Sequence, residues 1–188
     1  MINPFFKNHG PISIIRLLQL SNLNKDEKFL DTKITDIKDL VNAEKNNITF
    51  FHSKKYENIA SKTKATFCIT TKNLSHLLPK NCKSIIVDNV LIATAKITQI
   101  FYPNAVSDDF DNNVNDINKT SFKDKIKFGK NVLIGLNVQI GINCSIGHNS
   151  IIESNVVIGD NCSIGSNVII RNTIIKNNVS ILDTCVIG

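Results

Sequence analysis

The sequence predicts two unlike parts in one chain of 188 residues: a small α/β domain, then a parallel β-helix built from hexapeptides. Two observations carry that expectation. From Phe128 onward an apolar residue returns every sixth position, with Gly after it and Asn three after it. Before about residue 103 no such period exists, and short apolar runs of strand length alternate with runs of helical spacing.

In the N-terminal part, Ile12 to Leu20 reads as a short helix with Arg16 on its polar side. The expected strands are KITDI, ITFF, ATFCIT and KSIIVD, and the expected helices are KDLVNA, KYENIASK and NVLIATAKITQIFY. The domain is expected over residues 1–103. Pro103 and the acidic, Asn-rich SDDFDNNVNDINK then make a linker over 104–121, ahead of the repeat at 122–188.

In the repeat the apolar anchors are Phe128, Ile134, Ile140, Ile146, Ile152, Ile158, Ile164 and Ile170. Gly follows six of them, and Glu153 and Arg171 replace it in the other two units. A helix would scatter positions six apart around its surface, so the repeat is extended chain interrupted by turns. Gly and then Asn are read as the residues that tolerate positive φ in those turns. Val132, Val138, Cys144, Ser150, Val156, Cys162 and Val168, two before each anchor, are small or β-branched and suit a narrow interior. Successive coils would stack at about 4.8 Å, each covering the anchors of the last. The five-residue unit IIKNN breaks the rhythm after Arg171-Asn172-Thr173, and Ile181 and Ile187 restore it. One missing residue is expected to cut one corner and leave the coil count intact.

Composition limits the functional classes. The net charge of +6 is dispersed, and its densest cluster, Lys119, Lys123, Lys125, Lys127 and Lys130, is broken by Asp124 and apolar residues. That suits a solvated face better than a nucleic-acid site. The first twenty residues read as neither signal peptide nor membrane span, which points to the cytoplasm. Five cysteines without ligand spacing read as reduced thiols. Single histidines cannot assemble a catalytic zinc, and no metal or cofactor is expected.

The most informative N-terminal stretch is NNITFFHSKKY. Phe50 closes a strand and Tyr56 opens a helix across a polar loop, an arrangement in which two rings can hold a planar base. The alternative is that Phe50 belongs to the core and Tyr56 to a helix cap.

The hexapeptide pattern resembles the left-handed β-helix acyltransferases, in which three hexapeptides make one triangular coil. Together with TFF…KKY, KATFCIT and a helix ending in FYP, it is similar to the UDP-3-O-acylglucosamine N-acyltransferase family of lipid A biosynthesis. The resemblance implies an α/β domain followed by a left-handed parallel β-helix, incomplete at the C-terminus. It also implies a homotrimer, with UDP-3-O-acylglucosamine as acceptor and acyl carrier protein as donor of a 3-hydroxyacyl chain.

By matched position, Phe50 and Tyr56 would sandwich uracil. Ser53 stands where the family has a base-binding Asn, and His52 would line the site. The family's catalytic His follows an Asp-Gly-Phe-Gly loop that would come after Gly188, so no catalytic residue is assigned and the chain alone is expected to be inactive. A hexapeptide acyltransferase using His148, or a non-catalytic remnant that binds nucleotide or trimerises, are the competing expectations. His9 and His76 have no periodic context.

Overall fold

The computed structural model describes residues 4–23, 31–107 and 109–188. The chain divides into two compact units, one over Phe6–Ser107 and one holding residues 109–188. No helix among the described residues is long and apolar enough to cross a membrane.

In the first unit, β1 (Ile12–Ser13) leads into α1 (Ile14–Leu20), and β2 (Lys33–Ile34) pairs antiparallel with β1. The main sheet holds β3 (Asp36–Ile37), β4 (Asn47–Phe51), β5 (Phe67–Thr70) and β6 (Lys83–Ile86), all parallel and in that order. Parallel pairing demands crossovers, supplied by α2 (Glu57–Ala60) and by the 3-10 turn Ser75–Leu77. β5 is buried along its whole length, which accounts for its apolar run Phe67-Cys68-Ile69, and the buried Thr70 hydroxyl donates to Phe51 O at 2.9 Å. After β6, α3 (Val90–Phe101) begins at Asn89, whose Oδ1 accepts from Ile92 N–H at 3.1 Å. Val90, Ala93, Ile97 and Phe101 make its buried stripe and meet Ile14, Leu17, Leu18, Ile48 and Ile69 in one core.

A second, smaller core gathers Phe51, Ala60, Cys68 and Cys82 on the other face of the sheet. All five cysteines are free. A hydrogen bond with Cys82, reinforced by burial, pushes the Cys68 thiol up.

Three elements depart from the sequence reading: KITDI divides into β2 and β3, which lie in different sheets, Ile12–Ser13 is a strand ahead of the helix and not its first turn, and KDLVNA does not form a helix. KDLVNA (38–43) is a turn and not a helix, because Asp39 Oδ1 accepts from the backbone N–H groups of Val41 (2.8 Å) and Asn42 (3.0 Å). A carboxylate bonded in this way stabilises a turn in place of the i to i+4 ladder.

The second unit opens with β7 (Asn115–Asp116) and the 3-10 turn Ile117–Lys119, within the stretch read as linker. The repeat supplies β8 (Lys127–Phe128), β9 (Leu133–Ile134), β10 (Gln139–Ile140), β11 (Ser145–Ile146), β12 (Ile151–Ile152) and β13 (Val157–Ile158). It continues through β14 (Ser163–Ile164), β15 (Ile169–Ile170), β16 (Ile174–Ile175), β17 (Ser180–Ile181) and β18 (Val186–Ile187). Every third strand pairs in parallel, giving the faces β8-β11-β14-β17, β9-β12-β15-β18 and β10-β13-β16. β7 joins the second face antiparallel to β9. These faces fit the left-handed β-helix that the hexapeptide pattern implies. The anchors from Ile146 to Ile170 are all 3% exposed or less, and the small residues two before them line the same core.

The five-residue unit behaves as the spacing requires. Ile151 pairs with Ile169, eighteen on, whereas Val157 pairs with Ile174, seventeen on, so one corner is shortened and the coils stay in register.

The two turn residues have different tasks, which corrects the reading that both serve positive φ. Asn131, Asn137, Asn143, Asn149, Asn155, Asn161 and Asn167 have φ between 55° and 65°, a region that Asn enters cheaply. Among the glycines only Gly188 has positive φ. The others are required by proximity: a Cβ on Gly147 would lie 2.5 Å from both the carbonyl carbon of Gly165 and the nitrogen of Ser166 in the next coil. Asn side chains also ladder along the corners, Asn131 Nδ2 donating to Asn149 Oδ1 at 3.0 Å and Asn137 to Asn155 at 3.2 Å.

Gly147→Ala should therefore lower the free energy of unfolding by about 2 kcal/mol, because backbone and not a movable side chain must give way. Urea denaturation followed by circular dichroism measures it; a loss within about 0.5 kcal/mol of zero, the range of ordinary surface changes, would remove the proximity argument.

A second prediction concerns Tyr102, whose hydroxyl donates to Asp36 Oδ1 at 2.7 Å and accepts from Asn8 Nδ2 at 3.2 Å. Burial, then the bond to the Asp36 carboxylate, push its pKa up from 10.0 to about 12. The folded state thus holds a proton that the unfolded chain has lost. The stabilisation is complete below pH 10 and disappears as pH rises through about 12. Stability measured across that window should fall more steeply for the native chain than for Tyr102→Phe; parallel curves would contradict this.

Candidate functional site

The first unit presents an apolar cleft of about 280 Å³ beside the end of β4. Asp39, Leu40, Val41 and Ile59 line it around the rings of Phe50, His52 and Tyr56. Each wall has a local cause. Phe50 lies on β4 with its ring partly in the main core, so its position is fixed by packing. Ser53, in extended conformation, caps the 3-10 turn Lys54–Tyr56: its Oγ accepts from Lys55 N–H at 3.4 Å and its carbonyl from Tyr56 N–H at 3.0 Å. That turn brings Tyr56 back across the strand end. Leu40 and Val41 come from the turn that Asp39 organises. The Asn42 side-chain amide, donating to Oδ2 at 2.7 Å, and the backbone N–H groups hold the Asp39 carboxyl below its usual range against the opposing effect of burial.

The three rings form a series. Phe50 and His52 have centroids 6.4 Å apart at 27°, and His52 and Tyr56 are 5.6 Å apart at 47°. Val41 is 71% exposed, Ile59 40% and Tyr56 38%, so the cleft displays apolar and aromatic surface to solvent. A flat, weakly polar group fits such a surface by stacking.

Of the residues singled out in the sequence, Phe50, His52 and Tyr56 come together in this cleft. Ser53 does not line it, and its hydroxyl is engaged in the turn. Leu40, Val41 and Ile59 were not anticipated. Reading KDLVNA as a helix hid the first two, although Asp39 followed by Asn42 is a recognisable turn signal.

His148 belongs to the second unit and to its corner chemistry. Its Nδ1 accepts from Lys130 N–H at 2.8 Å, and its own N–H donates to Ser166 Oγ at 3.1 Å. The same link recurs in neighbouring columns, from Ile142 N–H to Asp160 at 2.9 Å and from Leu136 N–H to Ser154 Oγ at 2.8 Å. His148 thus fills a place that Asp and Ser fill elsewhere, as an acceptor for the coil below. Among the described residues no group of three or more His, Cys, Asp or Glu could hold a metal ion.

Comparison with known proteins places these features. Residues 31–100 match the family model described as UDP-3-O-(3-hydroxymyristoyl) glucosamine N-acyltransferase, LpxD. Residues 137–172 match the bacterial transferase hexapeptide model of six repeats. The chain is similar to the UDP-3-O-acylglucosamine N-acyltransferase of Rickettsia prowazekii (strain Madrid E), 31% identical over 100 residues. It is likewise similar to those of Rickettsia rickettsii (strain Sheila Smith), 32% over 99, and Rickettsia felis, 33% over 100. Each match covers 52% of this chain and 29% of the relative, so the shared stretch spans under a third of the curated relatives' length.

Proposed function

We propose that this chain, an LpxD-like hexapeptide transferase, binds UDP-3-O-acylglucosamine and serves the N-acyltransferase step of lipid A biosynthesis in the cytoplasm. One observation carries the reading: every residue of the aromatic cleft, from Asp39 to Ile59, falls within the matched stretch 31–100. Uracil then lies in that cleft against Phe50 and Tyr56, with His52 beside it. Ser53, committed to its turn, contributes through the loop shape and not through a direct bond to the base.

In the reaction so read, the glucosamine 2-amino nitrogen attacks the thioester carbonyl of a 3-hydroxyacyl chain carried by acyl carrier protein. The C–N bond forms, the C–S bond breaks, and a general base takes the amine proton. The step uses no cofactor. We assign His148 to the corner ladder and not to this proton transfer, because its Nδ1 is already an acceptor for Lys130.

A homotrimer is the assembly this reading includes. The outward strand positions of one β-helix face are Leu133, Ile151, Ile169 and Val186, whereas Lys127, Ser145, Ser163 and Ser180 occupy those of another. An unbroken apolar column on one face of a sheet is suited to burial against a second copy.

Titration calorimetry with UDP-N-acetylglucosamine tests the ligand. Phe50→Ala and Tyr56→Ala should each weaken binding by about 1–3 kcal/mol, the usual worth of one stacked base. Unchanged affinity in both folded variants would sink the assignment. Sedimentation equilibrium tests the assembly: Ile151→Lys should shift a trimer to monomer, and a native chain that is monomeric throughout the micromolar range would refute it.

A further inference from the structure

A cavity of about 430 Å³ lies wholly within the second unit, between the segment 115–122 and residues 134–138. Its origin is the end of the coil. β8, β9 and β10 make the lowest coil, with no further coil beneath it. β7 pairs with β9, and the chain then crosses to β8 with Ile117 in the core and Phe122 and Ile126 packed against it. A crossing segment does not follow the corner as another coil would, and the space left between them is the cavity.

Three donors border this space unpaired. In the coils above, turn N–H groups reach carbonyls below them, as Asn155 N–H does to Leu136 O at 2.8 Å and Asn161 N–H to Ile142 O at 2.9 Å. Asn137 has no coil beneath it, and its N–H makes no hydrogen bond to a described residue. The Thr120 hydroxyl is engaged in the loop, donating to Ile117 O at 2.8 Å and accepting from Phe122 N–H at 3.3 Å, whereas the neighbouring Ser121 hydroxyl bonds to no described residue. Lys119 is exposed and forms no ion pair with a described residue. Asp116, the acid on β7, does not line the cavity, and its carboxylate accepts from the Asn118 N–H and side-chain amide at 2.8 Å each. Lys123, Lys125, Lys127 and Lys130 follow on the crossing segment and the lowest coil, all exposed, with Asp124 the one acid among residues 117–131. Such an imbalance of sign draws anions to this end of the β-helix.

We propose that this cavity binds a phosphate ester. The phosphoryl oxygens accept from Lys119, Ser121 and the Asn137 N–H, and the organic body lies against Phe122, Leu136 and Val138. A free backbone N–H beside an ammonium and a hydroxyl is a donor set for a multiply charged oxyanion. The volume exceeds that of a phosphate alone, and the apolar wall suits what the phosphate is attached to. A soluble phosphate ester and a lipid headgroup share this chemistry.

Two probes separate those sources: hexyl phosphate, followed by calorimetry of the whole chain, and phosphatidylcholine vesicles with and without phosphatidic acid, followed by co-sedimentation. Neither carries a base, so the aromatic cleft of the first unit takes no part. Binding of hexyl phosphate supports a soluble ester, and binding only to vesicles that contain phosphatidic acid supports a headgroup. In either arm Lys119→Gln should weaken binding about tenfold, the usual effect of losing a charged hydrogen bond. Lys125→Gln, on the same segment but outside the cavity, should change it by less than about twofold at physiological salt. Equal losses in the two variants would mean diffuse charge and overturn the site. Binding of neither probe, or vesicle binding that does not need phosphatidic acid, would overturn it as well. None of these failures touches the nucleotide reading, which rests on the first unit.

Discussion

The second unit depends on how closely one coil can lie on the next. Each strand pairs with the strand eighteen or seventeen residues on, and turn N–H groups reach carbonyls and side chains of the adjacent coil, as Gly147 N–H does to Ile164 O at 2.8 Å. The contact at the corners is closer than a Cβ allows: on Gly159 it would stand 2.8 Å from the nitrogen of Asn177. Hydrogen bonding sets the spacing, the spacing dictates Gly, and Asn then takes the positive φ that returns the chain to the next face. The apolar anchors add the burial, but they can stack only because the corners let the coils approach.

This division of labour bears on what the sequence could reveal. Period, anchors and interior wall were legible because each is a repeated chemical choice: Ile at the anchor, a small or β-branched residue two before it, Asn three after it. The reason for Gly was not, since positive φ and close approach select the same residue and only the backbone angles separate them. In the first unit β4, β5, β6 and α3 followed from apolar runs and spacing, whereas the same spacing reads β1 as helix and β2 and β3 as one strand. The turn at Asp39 did not follow either, because KDLVNA has helical spacing and the competing side-chain bonds leave no periodic trace.

The aromatic cleft shows the same limit. Phe50 and Tyr56 could be paired from their places on either side of a polar loop, a local feature of eleven residues of sequence. The opposing wall comes from the preceding crossover, and its contribution depends on Asp39 shaping a turn that offers Val41 to the solvent side. The cavity of the second unit joins the segment 115–122 to residues 134–138, which the pairing of β7 with β9 brings together. Sequence adjacency reveals sites made by one loop; sites made between two segments require the topology.

Three irregularities of the repeat fall in adjacent coils. Glu153 and Arg171 stand where Gly is otherwise needed, and the missing residue falls between Ile170 and Ile174. In the coil through Glu153 the corner between strands takes four residues, 153–156, whereas the coil above it takes three, 171–173. The shortened corner lies above Glu153 and Ser154, and the Ser154 N–H takes a different acceptor. Where Asp160 N–H finds Asn177 Oδ1 at 3.0 Å in the next coil, Ser154 N–H bonds instead to Asp111 Oδ2 at 2.8 Å, and the Ser154 hydroxyl bonds to the same oxygen. Burial raises the Asp111 pKa, but these bonds from Ser154, together with those from the Asn113 N–H and side-chain amide, outweigh it and hold the carboxyl below its usual range. Glu153 feels the opposite balance: burial pushes its carboxyl up and the proximity of Asp111 adds to that, while Arg171 counteracts them. The segment entering the β-helix is thus fastened at a corner where the repeat takes its acceptor from outside itself, and the departures from the hexapeptide pattern mark where it is fastened.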